Sequence, residues 1–205
     1  MNKPLILVTP TATALPQWED ADYAAVDGGL DILGAAGITP VFACGDFDSL
    51  KQPLQPDSLP VGCRILSFPA EKNESDSQLA IEEGIRLGYA PIILAGSLSG
   101  RIDHTLANIR LLSWSYPDLI LQDDHQQMRL LQPGSHTVSS DWKHISLFAL
   151  EPSCITLENM KYPLSRRNIT PADIYTLSNE VAEGHREGTI VVHSGKVLLA
   201  ESNLP

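Results

Sequence analysis

The sequence predicts a parallel α/β domain followed by an all-β module. Up to about residue 122, short apolar runs alternate with segments of helical periodicity, which is the pattern of a parallel sheet with helical crossovers. From about residue 126, short strand-like runs are separated by Pro-Gly, Glu-Pro and Ser-Gly. The polar stretch QDDHQQ lies between the two patterns, so we expect domains at 1–125 and 126–205.

Six apolar runs in the first domain predict strands that are buried on both faces. In chain order they are LILV (5–8), YAAV (23–26), PVFAC (40–44), RILSF (64–68), PIILA (91–95) and DLILQ (118–122). Three segments between them predict helices, namely GGLDILGAAG (28–37), SDSQLAIEEGIRLG (75–88) and RIDHTLANIRLLSW (101–114). The second helix has a capping-box pattern, Ser75 with Gln78, and a stop signal at Gly88.

The second domain contains runs typical of short strands. They are QMRLLQPGSHTVS (127–139), KHISLFAL (143–150), CITLENM (154–160), IYTLSNEVAEG (174–184) and TIVVHSGKVLLAES (189–202). The last run predicts a β-hairpin with Ser194-Gly195 at its turn.

Charge and cysteine content exclude several classes of function. The 14 Lys and Arg against 25 Asp and Glu give a net charge of −11, and the absence of a basic run argues against nucleic acid or an anionic membrane as a partner. The 3 cysteines have no CxxC spacing, which argues against disulfides and thiolate zinc and fits a reducing compartment. No apolar run suits a signal peptide or a membrane span, so we expect a cytoplasmic protein.

Polar stretches follow four of the predicted strands. They are VDGG, CGDFDS, EKNESDS and AGSLSGRIDH, and parallel strands bring such stretches to one edge of the sheet, where ligands bind. That edge would carry Asp27, Gly28, Asp46, Asp48, Lys72, Asp76, Arg101 and Asp103. In CGDFDS the two acids are two residues apart, so both would face one side while Phe47 faces the other.

Several acids at one sheet edge repel each other unless a cation binds between them. Oxygen ligands suit Mg²⁺ rather than zinc. One Lys, one Arg and glycine-rich turns with free N–H groups suit a polyphosphate. The residues therefore predict a Mg-nucleotide site and phosphoryl or pyrophosphoryl transfer, without naming the acceptor.

Each residue also has a purely structural explanation. Asp46 and Asp48 suit a turn, and Asp76 suits the first turn of a helix. Asp103 and His104 can simply start a helix, and the glycines after Asp27 can form a tight turn. The other histidines show no metal spacing. The common position of these stretches at one sheet edge is what favours a site.

Six motifs, in order, resemble the thiamin pyrophosphokinase family: VDGG, GDFDS, EKNESDSQLAIEEG, GSLSGRIDHTLANI, MKYPL and LSNE. The resemblance implies a Rossmann-like nucleotide domain followed by a β-sandwich. It also implies a homodimer that binds thiamin between the nucleotide domain of one subunit and the sandwich of the other. Such an enzyme transfers the β,γ-pyrophosphoryl group of ATP to the thiamin hydroxyl and releases AMP.

The resemblance also implies roles for individual residues. Mg²⁺ would be held by Asp46, Asp48 and Asp76, and Asp103 would lie beside the reacting groups. ATP would be bound by Asp27, Gly28, Lys72, Ser75, Arg101 and His104. Thiamin would be bound by Tyr162, Ser178 and Asn179. Compared with the family pattern, Asn73 and Gln78 replace acids, and Ser99 replaces a common Gly.

Other functions share parts of this pattern. A phosphatase of the haloacid dehalogenase type has a similar DxD at a strand end, but on its first strand, whereas GDFDS follows the third strand here. Pyrophosphoryl transfer to a pterin alcohol on a related α/β domain is a closer alternative, against which MKYPL and LSNE favour thiamin. A nonenzymatic nucleotide-binding sensor is a third.

Overall fold

The structure is a computed structural model, and it describes residues 3–47, 63–68 and 73–204. The chain divides into two compact units, residues 1–112 with 118–124 and residues 113–117 with 125–205. Together they form a mixed α/β fold in which one unit is built on parallel strands and the other on antiparallel strands. No helix in the described ranges has both the length and the apolar character needed to span a membrane.

The first unit is a parallel sheet with helical connections. Its strands are β1 Leu5–Val8, β2 Asp22–Val26, β3 Phe42–Gly45, β4 Arg64–Ser67, β5 Ile92–Ala95 and β6 Leu119–Asp123. Its helices are α1 Gly29–Ala35, α2 Asp76–Arg86 and α3 Ile102–Arg110, and a π-helical turn, Leu111–Ser115, follows α3. The strand order is β4-β3-β2-β1-β5-β6, and the pairs in it are parallel.

Helices cover both faces of this sheet. Leu33 of α1 packs with Ile6 and Val8 on one face. On the other face Gly84 of α2 lies so close to Leu5 that a Cβ there would be 2.8 Å from the Leu5 side chain. Burial on both faces explains why β1 is a continuous apolar run, as predicted. The edge strand β4 is the exception, since both of its ends are exposed.

Helix α2 shows how local sequence sets the element bounds. The Ser75 hydroxyl accepts a hydrogen bond from the Gln78 backbone N–H at 3.2 Å, which confirms the N-cap. The Gln78 side chain, however, donates to Glu82 rather than completing the capping box. The helix ends in a Schellman motif, in which Gly88 has φ +87° and Tyr89 N–H bonds to the Gly84 carbonyl at 3.1 Å.

The second unit consists of two antiparallel sheets around one core. Its strands are β7 Gln126–Leu131, β8 Gly134–Ser139, β9 His144–Ala149, β10 Ser153–Glu158, β11 Leu164–Ile169, β12 Glu187–Ser194 and β13 Val197–Ser202. Strands β7-β13-β9 form one sheet and β11-β10-β12-β8 the other. Apolar residues from both sheets, such as Leu147, Leu157 and Ile190, share one buried cluster.

Two predictions for the second unit are wrong, and one strand was missed. Strands β12 and β13 do not pair as a hairpin, because the chain crosses at Ser194-Gly195 from one sheet to the other. The run 174–184 is largely turns with isolated bridges at Asn179 and Val181 instead of a strand. Strand β11 was not predicted, since its exposed residues Arg166 and Arg167 hide the strand pattern. None of the three cysteines forms a disulfide, as expected.

Candidate active site

A polar cavity lies at the carboxyl edge of the first unit's sheet. Its volume is about 360 Å³, and it is lined by Thr9, Pro10, Thr11, Val26, Asp27, Ser75, Asp76, Ser77, Gly96, Ser99, Arg101, His104 and Asn108. The strand order reverses direction between β1 and β5, and the chain segments that leave these two strands both border the cavity. This reversal is the topological switch point, where open α/β sheets bind their ligands.

Glycines let the backbone close in on this edge. A Cβ at Gly29 would lie 1.9 Å from the Val8 carbonyl oxygen. A Cβ at Gly45 would lie 1.7 Å from Asp27 Oδ1. A real Cβ atom cannot come this close to its neighbours. Only glycine therefore leaves room for the end of β1 at position 29 and for the Asp27 carboxylate at position 45.

Two of the predicted acids face the cavity from neighbouring elements. Asp27 follows β2 in a left-handed conformation, φ +46°, with its N–H bonded to the Cys44 carbonyl at 2.9 Å. Asp76 is the first residue of α2, where the helix dipole stabilises a negative charge. Asp46 follows β3 but is not among the residues that line the cavity. Asp48 and Lys72 lie outside the described residues.

Arg101 and Asp103 are paired with each other at the start of α3. The Arg101 guanidinium donates through Nε to Asp103 Oδ1 at 3.1 Å and through a terminal nitrogen to Oδ2 at 2.6 Å. These hydrogen bonds and the His104 N–H lower the pKa of the Asp103 carboxyl to about 2. Both side chains are mainly exposed, so the pair can open at small cost.

The remaining predicted residues of the first unit have local roles as well. Ser75 caps α2 and also lines the cavity. His104 lines the cavity from the first turn of α3. Gly28 is the N-cap of α1 and is not part of the cavity lining.

Among the described residues, no group of three or more His, Cys, Asp or Glu could hold a metal ion. Asp48 lies outside the described residues, and the oxygens of a bound substrate would add further ligands. Mg²⁺ in nucleotide enzymes is usually held by one or two carboxylates together with substrate phosphates and water. Asp27 and Asp76 are carboxylates that line the same cavity.

The second unit has a smaller pocket of about 200 Å³. It is lined by Leu157, Tyr162, Leu164, Tyr175, Thr176, Leu177 and Asn179. Of the predicted thiamin-binding residues, Tyr162 and Asn179 are in the lining. Ser178 is exposed, with φ +53°, and its N–H bonds to the Ser146 hydroxyl at 3.0 Å.

The side chain of Asn179 is engaged with the backbone. Its Oδ1 accepts from the N–H groups of Tyr162 at 3.0 Å and Glu180 at 2.9 Å, and its Nδ2 donates to the Tyr162 carbonyl at 2.9 Å. Only 6% of Asn179 is exposed. An amide nitrogen carries two hydrogens, so one donor of Asn179 is not used in these bonds.

Comparison with known proteins assigns both units. Residues 15–120 match the family model described as "Thiamin pyrophosphokinase, catalytic domain", and residues 135–197 match "Thiamin pyrophosphokinase, vitamin B1 binding domain". The chain is 30% identical over 187 residues to the thiamine pyrophosphokinase of Bacillus subtilis, a match that covers 88% of this chain and 86% of the relative. This chain belongs to the thiamin pyrophosphokinase family.

Solved structures of thiamin pyrophosphokinases agree with this assignment. The enzyme from Bacillus subtilis has a TM-score of 0.84 and 26% identity, over 99% of this chain and 100% of that chain. The enzyme from Geobacillus thermodenitrificans has a TM-score of 0.80 and 27% identity, over 98% of each chain. The protein from Candida albicans, at 15% identity and a TM-score of 0.74, shares the fold.

The two pockets fall in the two parts that match the thiamin pyrophosphokinase family models. Most of the larger cavity's lining, from Val26 to Asn108, lies within the catalytic-domain match, whereas Thr9, Pro10 and Thr11 precede it. The smaller pocket lies within the vitamin B1 binding match. Sequence reasoning did not predict the cavity residues Thr9, Thr11 and Asn108. The switch-point rule, applied to the segment Thr-Pro-Thr after β1, would have found the first two.

Proposed function

We propose that the cavity at the switch point binds Mg-ATP and that this chain transfers its pyrophosphoryl group to thiamin. Pyrophosphoryl transfer from ATP to thiamin, giving thiamin diphosphate, is the activity of the family to which the chain belongs. The observation that supports the location is the cavity itself, which Asp76 and Arg101 both line at the carboxyl edge of the parallel strands.

Mg²⁺ fits the donors that border this cavity. Asp76 and Asp27 would hold it together with phosphate oxygens. The predicted ligand Asp46, directly after β3, stays a candidate, as does Asp48, which lies outside the described residues. Bound there, the ion would neutralise charge on the transferred group.

The reaction moves one pyrophosphoryl unit. The thiamin hydroxyl oxygen forms a bond to the β-phosphorus, the bond from that phosphorus to the oxygen bridging to the α-phosphorus breaks, and AMP leaves. Catalysis of such a loose transition state is mainly positional and electrostatic. Arg101 would leave Asp103 and contact the phosphates, because a polyphosphate offers its guanidinium more negative charge.

Removal of the thiamin hydroxyl proton depends only weakly on Asp103 as a base. A carboxyl group with a pKa of about 2 is a weak base at neutral pH as long as Arg101 stays paired with it. Once Arg101 moves to the phosphates, the pKa of Asp103 rises toward its ordinary value, and a carboxylate is then available beside the reacting groups. A loose transition state requires only this modest assistance.

Thiamin would bind in the pocket of the second unit, with its pyrimidine ring near Tyr162 and its polar edge near Ser178 and the unused donor of Asn179. The family resemblance further supports a homodimer in which each active site is completed by the partner. Exposed apolar side chains are consistent with such an interface: Ile102 and Leu106 lie one turn apart on α3, 76% and 55% exposed. The cytoplasmic location stays a prediction.

The first experiment is an assay with ATP, Mg²⁺ and thiamin that measures AMP and thiamin diphosphate. We expect both products in equal amounts. Formation of ADP with thiamin monophosphate would contradict pyrophosphoryl transfer, and turnover of a pterin alcohol in place of thiamin would change the acceptor. ATP binding with no product in either assay would favour the nonenzymatic sensor.

A further inference from the structure

The loop between β5 and α3, residues 96–101, supplies three residues to the cavity. Gly96, Ser99 and Arg101 all line it. The loop contains two glycines with positive φ, Gly96 at +78° and Gly100 at +84°, so its own backbone permits many conformations. Something outside the loop therefore has to select the one that faces the cavity.

The carboxylate of Asp123, at the end of β6, holds two successive residues of this loop. Its Oδ1 accepts from the Leu98 N–H at 3.2 Å, and its Oδ2 accepts a short hydrogen bond from the Ser99 hydroxyl. The neighbouring backbone continues the same contact, since the Gly96 N–H bonds to the Gln122 carbonyl at 3.0 Å. Asp123 itself is not part of the cavity lining.

Separate contacts fix the start of the loop. Asn108 Nδ2 donates to the Ser97 carbonyl at 3.1 Å, and both residues are buried. A Cβ on Gly96 would lie 2.4 Å from the Ala12 nitrogen, so the loop start is packed against the segment after β1. The middle of the loop, residues 98 and 99, is held by the Asp123 carboxylate.

We propose that Asp123 is a positioning residue of the ATP site, which acts by holding Leu98 and Ser99 so that the loop presents Ser99 and Arg101 to the phosphates. This inference rests on the proposed function. Hydrogen bonds to a carboxylate are stronger than neutral ones, which suits an anchor in a partly exposed loop. Ser99 replaces a common Gly of the family pattern, and its hydroxyl supplies one of the two bonds.

The test is the Asp123→Ala variant, assayed for AMP formation with each substrate varied in turn. We expect kcat/KM for ATP to fall about tenfold or more, as expected for loss of hydrogen bonds to a charged group, and KM for thiamin to stay within about twofold of wild type. Asp123→Asn should recover activity to within about threefold, because its amide can accept from Leu98 and donate to the Ser99 hydroxyl.

Asp124→Ala is the matched control. Asp124 is adjacent, and its carboxylate accepts from the Thr13 hydroxyl at 2.8 Å, a residue outside the cavity lining. Both variants remove one negative charge near a polyphosphate. If charge alone mattered, both would bind ATP more tightly; if Asp123 positions the loop, only Asp123→Ala weakens ATP.

A double-mutant cycle with Ser99→Ala isolates the hydrogen bond between the Ser99 hydroxyl and Asp123. Because Ser99→Ala is also tested by itself, the inference stays testable even if Asp123→Ala is unstable. Ser99→Ala should raise KM for ATP about threefold, and adding it to Asp123→Ala should cost nothing further. The inference would be overturned, with wild-type turnover intact, by any of three results. These are an equal loss of kcat/KM for ATP and thiamin in Asp123→Ala, the same behaviour of the Asp123 and Asp124 variants, and an unchanged KM for ATP in Ser99→Ala. A wild-type protein that forms no AMP would overturn the proposed function and this inference with it.

Discussion

Asp46 directly follows the Gly45 that lies against the Asp27 carboxylate, so it belongs to the same acidic sheet edge. We predict that Asp46→Asn lowers AMP formation about a hundredfold or more, since loss of a metal contact removes several kcal/mol of transition-state stabilisation. Stability without ligands should stay level or rise because repulsion at the edge decreases. Activity and the urea midpoint measure the two effects, with the exposed Asp118→Asn as control. Near-normal turnover at ordinary Mg²⁺ would contradict a metal role.

The amide of Asn179 fixes the backbone of Tyr162 through two hydrogen bonds. We predict that Asn179→Ala raises KM for thiamin about tenfold and leaves KM for ATP unchanged, because Tyr162 loses its anchor beside the acceptor pocket. Buried N–H groups left without a partner should also cost about 1–3 kcal/mol of stability. Steady-state kinetics with each substrate varied in turn and urea unfolding measure the two effects. Asn168→Ala, an exposed amide on β11, should change neither.

At residue scale, sequence reasoning located cap and edge residues but not their partners. Ser75 was predictable as a cap because the pattern is local. The pairing of Arg101 with Asp103 and the engagement of Asn179 with Tyr162 were not, since each residue type suits several partners and only the folded backbone selects one.

Strand β13 places a carboxylate on the inner face of its sheet. Glu201 is 1% exposed, and burial raises the pKa of its carboxyl group, although Arg129 and Gln127 partly offset the effect. The folded state therefore binds this proton more tightly than the unfolded state. The resulting stability is fully present below the unfolded pKa of about 4.3 and is lost as pH rises through the higher folded pKa.

We predict that Glu201→Gln flattens this part of the pH profile. The urea midpoint of the wild type should fall more between pH 4 and pH 8 than that of the variant, because an amide has no proton to lose. Glu187→Gln, which removes an exposed carboxylate from β12, controls for the change in net charge. An equal pH slope in wild type and Glu201→Gln would mean that the ion pair with Arg129 cancels the cost of burial, and a wild-type midpoint that rises relative to the variant would mean that the pair outweighs it.

At the scale of elements, the parallel strands were predictable because runs such as β1, β3 and β5 are apolar and fully buried. The sheet that a strand joins was not predictable in the second unit. Pro133-Gly134 and Ser194-Gly195 both mark turns correctly, yet at each the chain enters the other sheet. Turn chemistry fixes local backbone angles, whereas pairing is decided by which apolar faces meet in the core.

At the scale of the whole molecule, the donor and acceptor candidates belong to different units of the chain. We predict that inactive Asp46→Asn protein and the Asn179→Ala variant complement each other when their subunits exchange. If sites form across a homodimer, a mixed dimer has one site with both lesions and one with neither, so thiamin turnover returns at wild-type KM. Exchange can be followed with differently tagged subunits. Proven exchange without recovery would mean that each site is built within one chain.

Three glycines near the strand ends also limit which substitutions this sequence can accept. At Gly29, Gly45 and Gly96 even a methyl group would lie within 2.4 Å of a backbone atom or of Asp27. A larger residue there could be accommodated only if a neighbouring element shifted as well. A single substitution does not supply that second change. Relatives that have diverged at seven positions in ten should still carry glycine at these three, and a chain that lost one would need a compensating shift in a neighbouring element.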